Sequence, residues 1–376
     1  MKIGILTLPL HTNYGGILQA YALQTVLERM GHEVEVIDRP GTIHRPFWRN
    51  AITFVKRVVL WAMGERVSLC YQKEYNEREH AKRKYVNMFV RKYVNRRVLS
   101  RYDLISQNDY QAIVVGSDQI WRICYIQRIG GVKICFLDFT KGWDVKRIAY
   151  AASFGIDKWN YTEEETMIAK KAIQRFKAVS IREKSGVSLC EKYLEYNDAV
   201  HVLDPTMLLT VKDYEQLVEQ SEVTRNPEGE AMVYVLDSTE EKDLYIANVV
   251  KKLGLQSFEA NSKCEDSDAS LEEITQPPVE QWLRGFRDSK FVITDSFHAC
   301  VFSIIFHKPF IVIGNKERGL SRFCSLLEAF GLQDRLVQEQ DTVNVLDMDI
   351  DWEKVDERLE NMRIHSKDFL ENALVD

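Results

Sequence analysis

The architecture is set by residues 2–37, which read KIGILTLPLHTNYGGILQAYALQTVLERMGHEVEVI. Residues 2–8 (KIGILTL) form a short apolar run typical of a buried strand, and residues 16–30 place apolar side chains at helical spacing. Gly31 ends this helix, and residues 33–37 (EVEVI) form the next strand. A strand, a helix and a strand in this order predict a parallel sheet with a right-handed crossover.

The same alternation continues in two series that meet at Asp204-Pro205. The first series predicts strands at 111–115, 147–152, 178–182 and 200–203, and helices at 162–176 and 185–194. The second predicts strands at 231–236, 255–260, 291–294 and 309–313, and helices at 239–253, 279–287, 297–307 and 320–330, before a last helix at 351–372.

We therefore predict an α/β fold of two doubly wound, Rossmann-like domains facing a cleft. The N-terminal domain spans 1–203, the C-terminal domain spans 204–345, and a C-terminal helix lies within 346–376. A chain of 376 residues is too long for one ordinary core, which agrees with two domains. Ligands of such sheets bind outside the carboxyl ends of the strands.

Composition excludes several classes of protein. The formal charge of -6 and the pI of about 5.9 oppose a nucleic-acid binder, which usually carries a basic domain. The seven cysteines include no CxxC pair, so neither a zinc knuckle nor a redox dithiol is indicated, and we expect mostly buried free thiols. The N-terminal apolar run fits a strand better than a signal peptide, and no stretch approaches the ~20 apolar residues of a membrane span. We expect a cytoplasmic protein.

Residues 39–101 interrupt the alternation with a helix-like, aromatic and basic segment. It contains 16 Lys or Arg and 4 Asp or Glu, an excess of +12, so the rest of the chain carries about -18. Within it, residues 43–64 mix Trp48, Phe54 and Trp61 with basic side chains. Two interpretations stay open: an arm that lies on an anionic membrane surface, or a solvated helical insertion packed on its own domain.

Two strand ends precede helices in a way that suggests anion binding. The Gly15-Gly16 turn opens a helix whose bare backbone amides can hold an anion or a sugar hydroxyl, although a simple tight turn explains it too. In the segment TDSFH, Asp295 or Ser296 is a good N-cap, which places His298 in the first helical turn. The helix dipole keeps an imidazole neutral there, and an arriving anion would favour its protonation. A capping or packing histidine is the alternative.

Cationic side chains follow two further strands. Arg182 comes directly after an apolar strand and can fork onto a carboxylate or phosphate, or form a salt bridge with Glu183 or another neighbour. Lys316, Arg318 and Arg322 make the loop after the strand at 309–313 basic. Because these loops share one edge of the predicted sheets, we expect an anion site there.

Several loops in this order resemble the polysaccharide pyruvyl transferase family. The matching pieces run from residue 3 to residue 335 and are NYGGILQAYALQ, VVGSDQIW, AASFGID, VSIREKSG, LDPTMLL, TDSFHACVFSIIFHKPFIVIG and SRFCSLLEAFGL. The resemblance implies a fold similar to GT-B glycosyltransferases. It also implies transfer of the enolpyruvyl unit of phosphoenolpyruvate onto a sugar of a cell-surface polysaccharide or its precursor, forming a pyruvate ketal and releasing phosphate.

The resemblance also implies roles for residues. A histidine matching His298 is tied to catalysis and donor binding, and an arginine matching Arg182 is a ligand of phosphoenolpyruvate. Some members carry an arginine where this chain has Ser296. Either Lys316 or Arg322 supplies that charge, or the donor preference of this chain is altered. The predicted donor-binding set is Arg182, Ser296, Phe297, Lys316 and Arg322, and the predicted acceptor-binding set is Asn13, Gly15, Gly16, Gln19 and Asp118.

The reaction needs an acid that protonates the methylene carbon, cations for two anionic groups, and a base near the acceptor. His298 fits the acid, and either Asp118 or Asp295 fits the base, unless both only cap helices. We predict no metal and no cofactor, a sugar or lipid-linked oligosaccharide acceptor, no nucleic-acid partner, and peripheral membrane contact through 43–101. The rival hypotheses are a nucleotide-sugar glycosyltransferase of the same shape and a non-catalytic member that binds a polymer precursor.

Overall fold

The computed structural model describes residues 1–39, 47–64, 71–221, 229–264, 266, 268–314, 319–338 and 349–375. Its first part contains β1 (Lys2–Leu6), α1 (Tyr14–Arg29), β2 (Glu33–Asp38), α2 (Phe47–Ala62), α3 (Tyr71–Lys82), α4 (Lys84–Tyr93), β3 (Arg96–Val98), β4 (Ala112–Val115), α5 (Ile123–Ile129), α6 (Val132–Cys135), β5 (Lys146–Ala152), α7 (Glu163–Ile173), β6 (Ala178–Ile181), α8 (Lys184–Leu194) and β7 (Val200–His201). Its second part contains α9 (Val211–Glu219), β8 (Ala231–Tyr234), α10 (Glu240–Leu253), β9 (Ser257–Glu259), α11 (Leu271–Ile274), α12 (Val279–Asp288), β10 (Phe291–Thr294), α13 (Phe297–Ile305), β11 (Phe310–Ile313), α14 (Ser321–Phe330), β12 (Leu336–Val337) and α15 (Trp352–Leu374).

The strands form two parallel sheets. The first has seven strands in the order β3-β2-β1-β4-β5-β6-β7, and the second has five in the order β12-β11-β10-β8-β9. The predicted α/β fold of two doubly wound, GT-B-like sheets is thereby confirmed. Strand order reverses between β1 and β4 in the first sheet and between β8 and β10 in the second. The loops at these two reversals are where a doubly wound sheet binds ligands.

The local sequence explains where the elements begin and end. The central strands β1, β4, β10 and β11 are almost wholly buried, as expected for parallel strands covered by helices on both faces. Thr162 and Ser270 begin α7 and α11 with capping boxes, which satisfy amides that the first helical turn leaves free. Gly254 ends α10 in the left-handed conformation that glycine adopts at little cost.

The basic insertion is more closely integrated than a separate helical arm. Helix α4 packs on α1, and α3 packs on α11 of the second half, where Arg78 donates to the carbonyls of Ala269 and Asp266. The prediction that 39–101 is helical throughout is wrong at its end, because Arg96 pairs with Val36 and β3 is the edge strand of the first sheet. The insertion packs on its own domain through α4 and also contacts the second half through α3.

The two halves share one contiguous apolar core. Tyr14, in the first turn of α1, stacks on Trp282 of α12 at a centroid distance of 5.2 Å and donates its hydroxyl to the Pro277 carbonyl at 2.6 Å. At the other end of the chain, α15 returns to the first half. Lys146 of β5 donates to the Leu374 carbonyl at 2.8 Å. Helix α1 of the first half therefore contacts the second half, and helix α15 of the second part contacts the first half.

Composition predicts that no segment spans a membrane and that most cysteines are buried. Within the ranges that the structure describes, no helix is both long and apolar enough to cross a bilayer. Mostly buried thiols were expected, but only half of the six described cysteines are buried. Cys135, Cys190 and Cys300 are buried, whereas Cys124 and Cys324 are exposed on α5 and α14 and Cys264 is intermediate.

Candidate active site

The site begins at the N-terminus of α13. Ser296 is the N-cap, and its hydroxyl accepts from the Ala299 amide at 3.5 Å, as the sequence predicts. Thr294 braces the turn, because its hydroxyl donates to the Tyr234 carbonyl and accepts from the Ser296 amide. His298 consequently lies in the first turn of the helix, at the reversal point of the second sheet. Its predicted position in the helix is confirmed.

The His298 ring lies at the junction between the two halves. It is 5% exposed, and it faces the first turn of α1 so closely that a Cβ on Gly15 would lie 2.1 Å from its Cγ and Nδ1. Its Nε2 is 3.5 Å from Asp204 Oδ2, within reach of an ion pair but without the alignment of a hydrogen bond. Among the described residues, this buried nitrogen has no hydrogen-bond partner. Buried polar atoms in proteins are normally hydrogen-bonded, so a ligand that binds beside this nitrogen is one explanation for its surroundings.

Asp204 is the carboxylate on which the site is centred. Its Oδ2 accepts from Arg182 Nη1 at 2.6 Å, and its Oδ1 accepts from the amide and hydroxyl of Thr206 at 3.0 and 2.7 Å. Burial would raise the pKa of this carboxyl, but His298, Arg182 and Thr206 together hold it well below its usual range. Asp204 is therefore an ionised carboxylate beside the imidazole.

Arg182 is engaged by two carboxylates. Besides Asp204, it donates from Nη2 to Asp118 Oδ1 at 3.2 Å, and only 1% of its side chain is exposed. Burial disfavours its charge, yet Asp204 and Asp118 raise the pKa of this guanidinium above its ordinary value. Of the two readings of Arg182, the structure thus shows the salt bridge, with partners more distant in sequence than Glu183. Its predicted donor-binding role stays a prediction.

A second buried arginine lies close by. The guanidinium carbons of Arg182 and Arg322 are 4.5 and 5.4 Å from the centroid of the Phe297 ring. Burial and the charge of Arg182 lower the pKa of Arg322 to about 10. The carboxylates of Asp118 and Glu183 act on the pKa of Arg322 in the opposite direction. The donor-binding role of Arg322 stays a prediction.

The other predicted donor residues are only partly accounted for. Phe297 lies between the two guanidinium groups and His298, with its ring 5.4 Å from the imidazole. Ser296 is 7% exposed and committed to capping. Lys316 lies outside the described residues.

The predicted acceptor residues divide into two groups. Asn13 is exposed and Gly16 is half-buried at the start of α1, and both stay candidates. Gln19 is fully buried, with its amide bonded to Thr7 Oγ1, the Gly16 carbonyl and the Ser117 amide, and its acceptor-binding role stays a prediction. Its function is to hold the loop after β4 against α1. Gly15 gives room to His298.

The two candidate bases are also occupied. Asp295 is buried and accepts from the amides of Leu236 and Asp237 and from Lys242 Nζ at 2.9 Å, so a role as base is not supported by its surroundings. Asp118, in contrast, lies at the site but is 3% exposed and paired with Arg182. Its role as base stays a prediction.

Sequence reasoning missed two carboxylates at the site. The Asp204-Pro205 pair predicts only a break between domains, although an Asp-Pro that directly follows a predicted strand lies at the edge where ligands bind. Glu183 accepts from the amides of Phe154 and Gly155 at 2.8 and 3.2 Å, and burial raises the pKa of its carboxyl despite the nearby arginines. Across the described ranges, no group of three His, Cys, Asp or Glu is arranged to hold a metal ion.

Comparison with known proteins identifies the family of the chain. The model of the polysaccharide pyruvyl transferase family matches residues 13–317, which include His298, Asp204, Arg182 and the Gly15-Gly16 turn. The chain belongs to this family of transferases. No curated protein sequence matches the chain significantly.

Several solved structures align with almost the whole chain. Arabidopsis thaliana UGT89C1 in complex with UDP-L-rhamnose shares 8% identity at a TM-score of 0.49, covering 98% of this chain and 97% of that one. UDP-GlcNAc 2-epimerase from Methanocaldococcus jannaschii shares 12% identity at a TM-score of 0.46, covering 96% and 93%. The enzyme of that name from Neisseria meningitidis shares 7% identity at a TM-score of 0.44, covering 100% and 95%. At these values the similarity carries no argument about function.

Proposed function

We propose that this transferase moves the pyruvyl unit of phosphoenolpyruvate onto a sugar of a cell-surface polysaccharide or its precursor, as a ketal. The observation that carries the proposal is the buried His298 Nε2, which has no hydrogen-bond partner among the described residues and lies at a helix N-terminus beside Asp204. Family membership supports the transferase class. The dependence on phosphoenolpyruvate and the ketal product belong to the proposal, as do the cytoplasmic location and the membrane contact expected from the sequence.

The chemistry follows from what each group can do. His298 donates a proton to C3 of the donor, which becomes a methyl group while positive charge develops at C2. A sugar hydroxyl forms a bond to C2, the bond from C2 to the phosphate oxygen breaks, and a second hydroxyl closes the ketal. The two hydroxyl protons restore the imidazolium and protonate the departing phosphate, so no water is consumed. The mechanism invokes no metal and no cofactor.

The surrounding residues would orient this chemistry. Asp204 places a carboxylate 3.5 Å from His298 Nε2, where it can orient the ring for proton donation. Arg322 and the amides at the start of α13 are suited to an anionic donor, since a helix N-terminus attracts negative charge. Arg182 keeps Asp204 and Asp118 in place. Because the ring is 5% exposed, donor binding must displace side chains that now cover it.

The test is phosphate release from phosphoenolpyruvate in the presence of candidate acceptor glycans. We expect His298→Ala to lower the rate by about 10²-fold or more, the contribution of a positioned proton donor. His307→Ala is the matched control, because His307 lies in the turn that follows the same helix, with a half-exposed side chain paired with Asp356. Turnover by His298→Ala equal to that of the control would remove His298 from the mechanism.

A ligand screen distinguishes the donor classes. We expect phosphoenolpyruvate to raise the thermal midpoint of the wild-type chain, and the glycan product to gain the mass of one pyruvate less water. Stabilisation by UDP or GDP but not by phosphoenolpyruvate would replace the proposal with the rival nucleotide-sugar glycosyltransferase.

A further inference from the structure

Helix α2 presents its apolar side to solvent and its polar side to the protein. Seven large apolar side chains in residues 52–63 are between 36% and 72% exposed, and we call them the apolar face of α2: Ile52, Phe54, Val55, Val58, Val59, Trp61 and Met63. The half-buried positions are Thr53, Arg57 and Leu60, whose spacing of four and three residues marks the opposite side of the helix. This is the reverse of a helix that covers a core.

The outward orientation is held by contacts on the polar side. Arg57 Nη1 lies 2.5 Å from Glu74 Oε2 of α3, and the Arg57 guanidinium lies 5.0 Å from the centroid of the Tyr71 ring. These contacts join α2 to α3, which itself packs on α11. The apolar face is therefore presented on an anchored helix.

The clustering distinguishes this surface from ordinary exposed side chains. Of 17 exposed large apolar residues among the described ranges, seven lie in the 12 residues 52–63, and the others are scattered over the rest of the chain. Scattered apolar residues on a surface need no explanation, whereas a contiguous apolar patch marks an interaction site.

The net charge of the insertion that contains α2 favours one occupant. Residues 39–101 carry 16 basic and 4 acidic side chains, and Lys56 is exposed beside the apolar face. An apolar strip bordered by lysine and containing tryptophan suits the headgroup region of an anionic bilayer. A second copy of the chain would bring two segments of net charge +12 together, which is unfavourable.

We propose that α2 docks the protein on anionic membranes, lying in the interface with its apolar face in the lipid. The membrane proposal rests on this surface and not on the transfer reaction. The membrane proposal and the proposed transfer reaction can therefore be refuted independently. The sequence predicts membrane contact through residues 43–101, and the present proposal assigns this contact to helix α2 alone. Deleting 43–101 would remove β3 and the packing of α4 on α1, so point substitutions are the suitable test.

The experiment measures sedimentation of the full chain with vesicles of phosphatidylcholine, with or without phosphatidylglycerol. We expect binding to the vesicles that contain phosphatidylglycerol, weakened by added salt, and a partition coefficient lowered about tenfold or more by the double substitution Val55→Asp and Val59→Asp. The matched control is Met167→Asp with Leu244→Asp, which places the same charge at two similarly exposed apolar positions of α7 and α10. This control is expected to bind like the wild type.

Further measurements address folding and the rival occupant. All four positions are solvent-exposed, so both double variants should keep the thermal midpoint of the wild type. Trp61 emission should shift to shorter wavelength on vesicle binding, and Trp61→Phe should lose that part of the signal. Equal vesicle binding by the two double variants would overturn the proposal. So would a wild-type dimer in lipid-free buffer that only the α2 variant dissociates, because the face would then be covered by a second copy.

Discussion

The Asp204 carboxylate interacts with three other residues. Its Oδ2 is 2.6 Å from Arg182 Nη1 and 3.5 Å from His298 Nε2, and its Oδ1 accepts two bonds from Thr206. Removing one member of a fully buried ion pair leaves the other charge without compensation, which is more costly than losing a surface pair. Both stability and the charge of the site should therefore depend on this residue.

We expect Asp204→Asn to lower the free energy of unfolding by about 3–5 kcal/mol, the usual effect of breaking a buried ion pair. Since the pKa of Asp204 is lowered in the folded state, its contribution is present above the ordinary carboxyl pKa of about 4 and is lost as the pH falls below it. Urea unfolding at several pH values should show the difference between wild type and variant narrowing as the solution is acidified.

The control for this substitution is Asp138→Asn. Asp138 pairs with Arg175 at 2.7 Å, but both side chains are more than a quarter exposed, so the expected loss is about 0–1 kcal/mol. Equal losses for the two variants would contradict the central place of Asp204 in the buried network.

The two helices that frame the site meet at their first turns. Helix α1 supplies Gly15, against which the His298 ring of α13 lies. A side chain at that position would occupy the volume of the imidazole, so the close approach of the two helix ends requires glycine there. The neighbouring Gly16 has ordinary space, since a Cβ would come no nearer than 3.4 Å to Asn13.

We expect Gly15→Ala to displace the His298 ring, to destabilise the fold by about 1–3 kcal/mol and to abolish phosphate release. Gly16→Ala is the stability control in the same helical turn, and it should be neutral or stabilising because alanine favours helix by about 1 kcal/mol over glycine. Thermal and urea unfolding of both variants provide the comparison. A stable Gly15→Ala protein with wild-type phosphate release would show that the ring does not lie against α1.

The two halves form one structural unit through Tyr14 and α15. Tyr14 is fully buried and contributes a ring to the second half, while α15 contributes its C-terminal end to the first. Because the core is contiguous across the junction, unfolding of one half exposes apolar surface of the other. Such a molecule should unfold cooperatively although it contains two sheets.

We expect a single calorimetric transition for the wild type. Tyr14→Ala should cost about 3–5 kcal/mol and separate the transition into two, because it removes the ring that stacks on Trp282. Tyr14→Phe keeps the ring and loses only the bond to the Pro277 carbonyl, so about 0.5–1.5 kcal/mol and one transition are expected. Identical scans for the two variants would show that the stacked ring does not couple the halves.

Much of the architecture could be predicted because it depends on local periodicity. Apolar runs such as residues 291–294 are strands in any tertiary context, and Ser296 caps α13 through atoms three residues away. The short strand β3 was not predicted. Its three residues, Arg-Arg-Val, have no strand-like pattern, and only pairing with β2 makes them a strand.

The amino-acid order is sufficient for the α/β class, the position of His298 in a helical turn, and the family to which the chain belongs, because each depends on spacing along the chain. The partners of that histidine depend on the fold. Asp204 is 94 residues away, and Gly15 lies in the opposite half. Whether Arg182 meets a ligand or a carboxylate, and whether α2 turns its apolar face inward or outward, depends on which elements pack together. These are matters of burial and long-range contact, on which local periodicity carries no information.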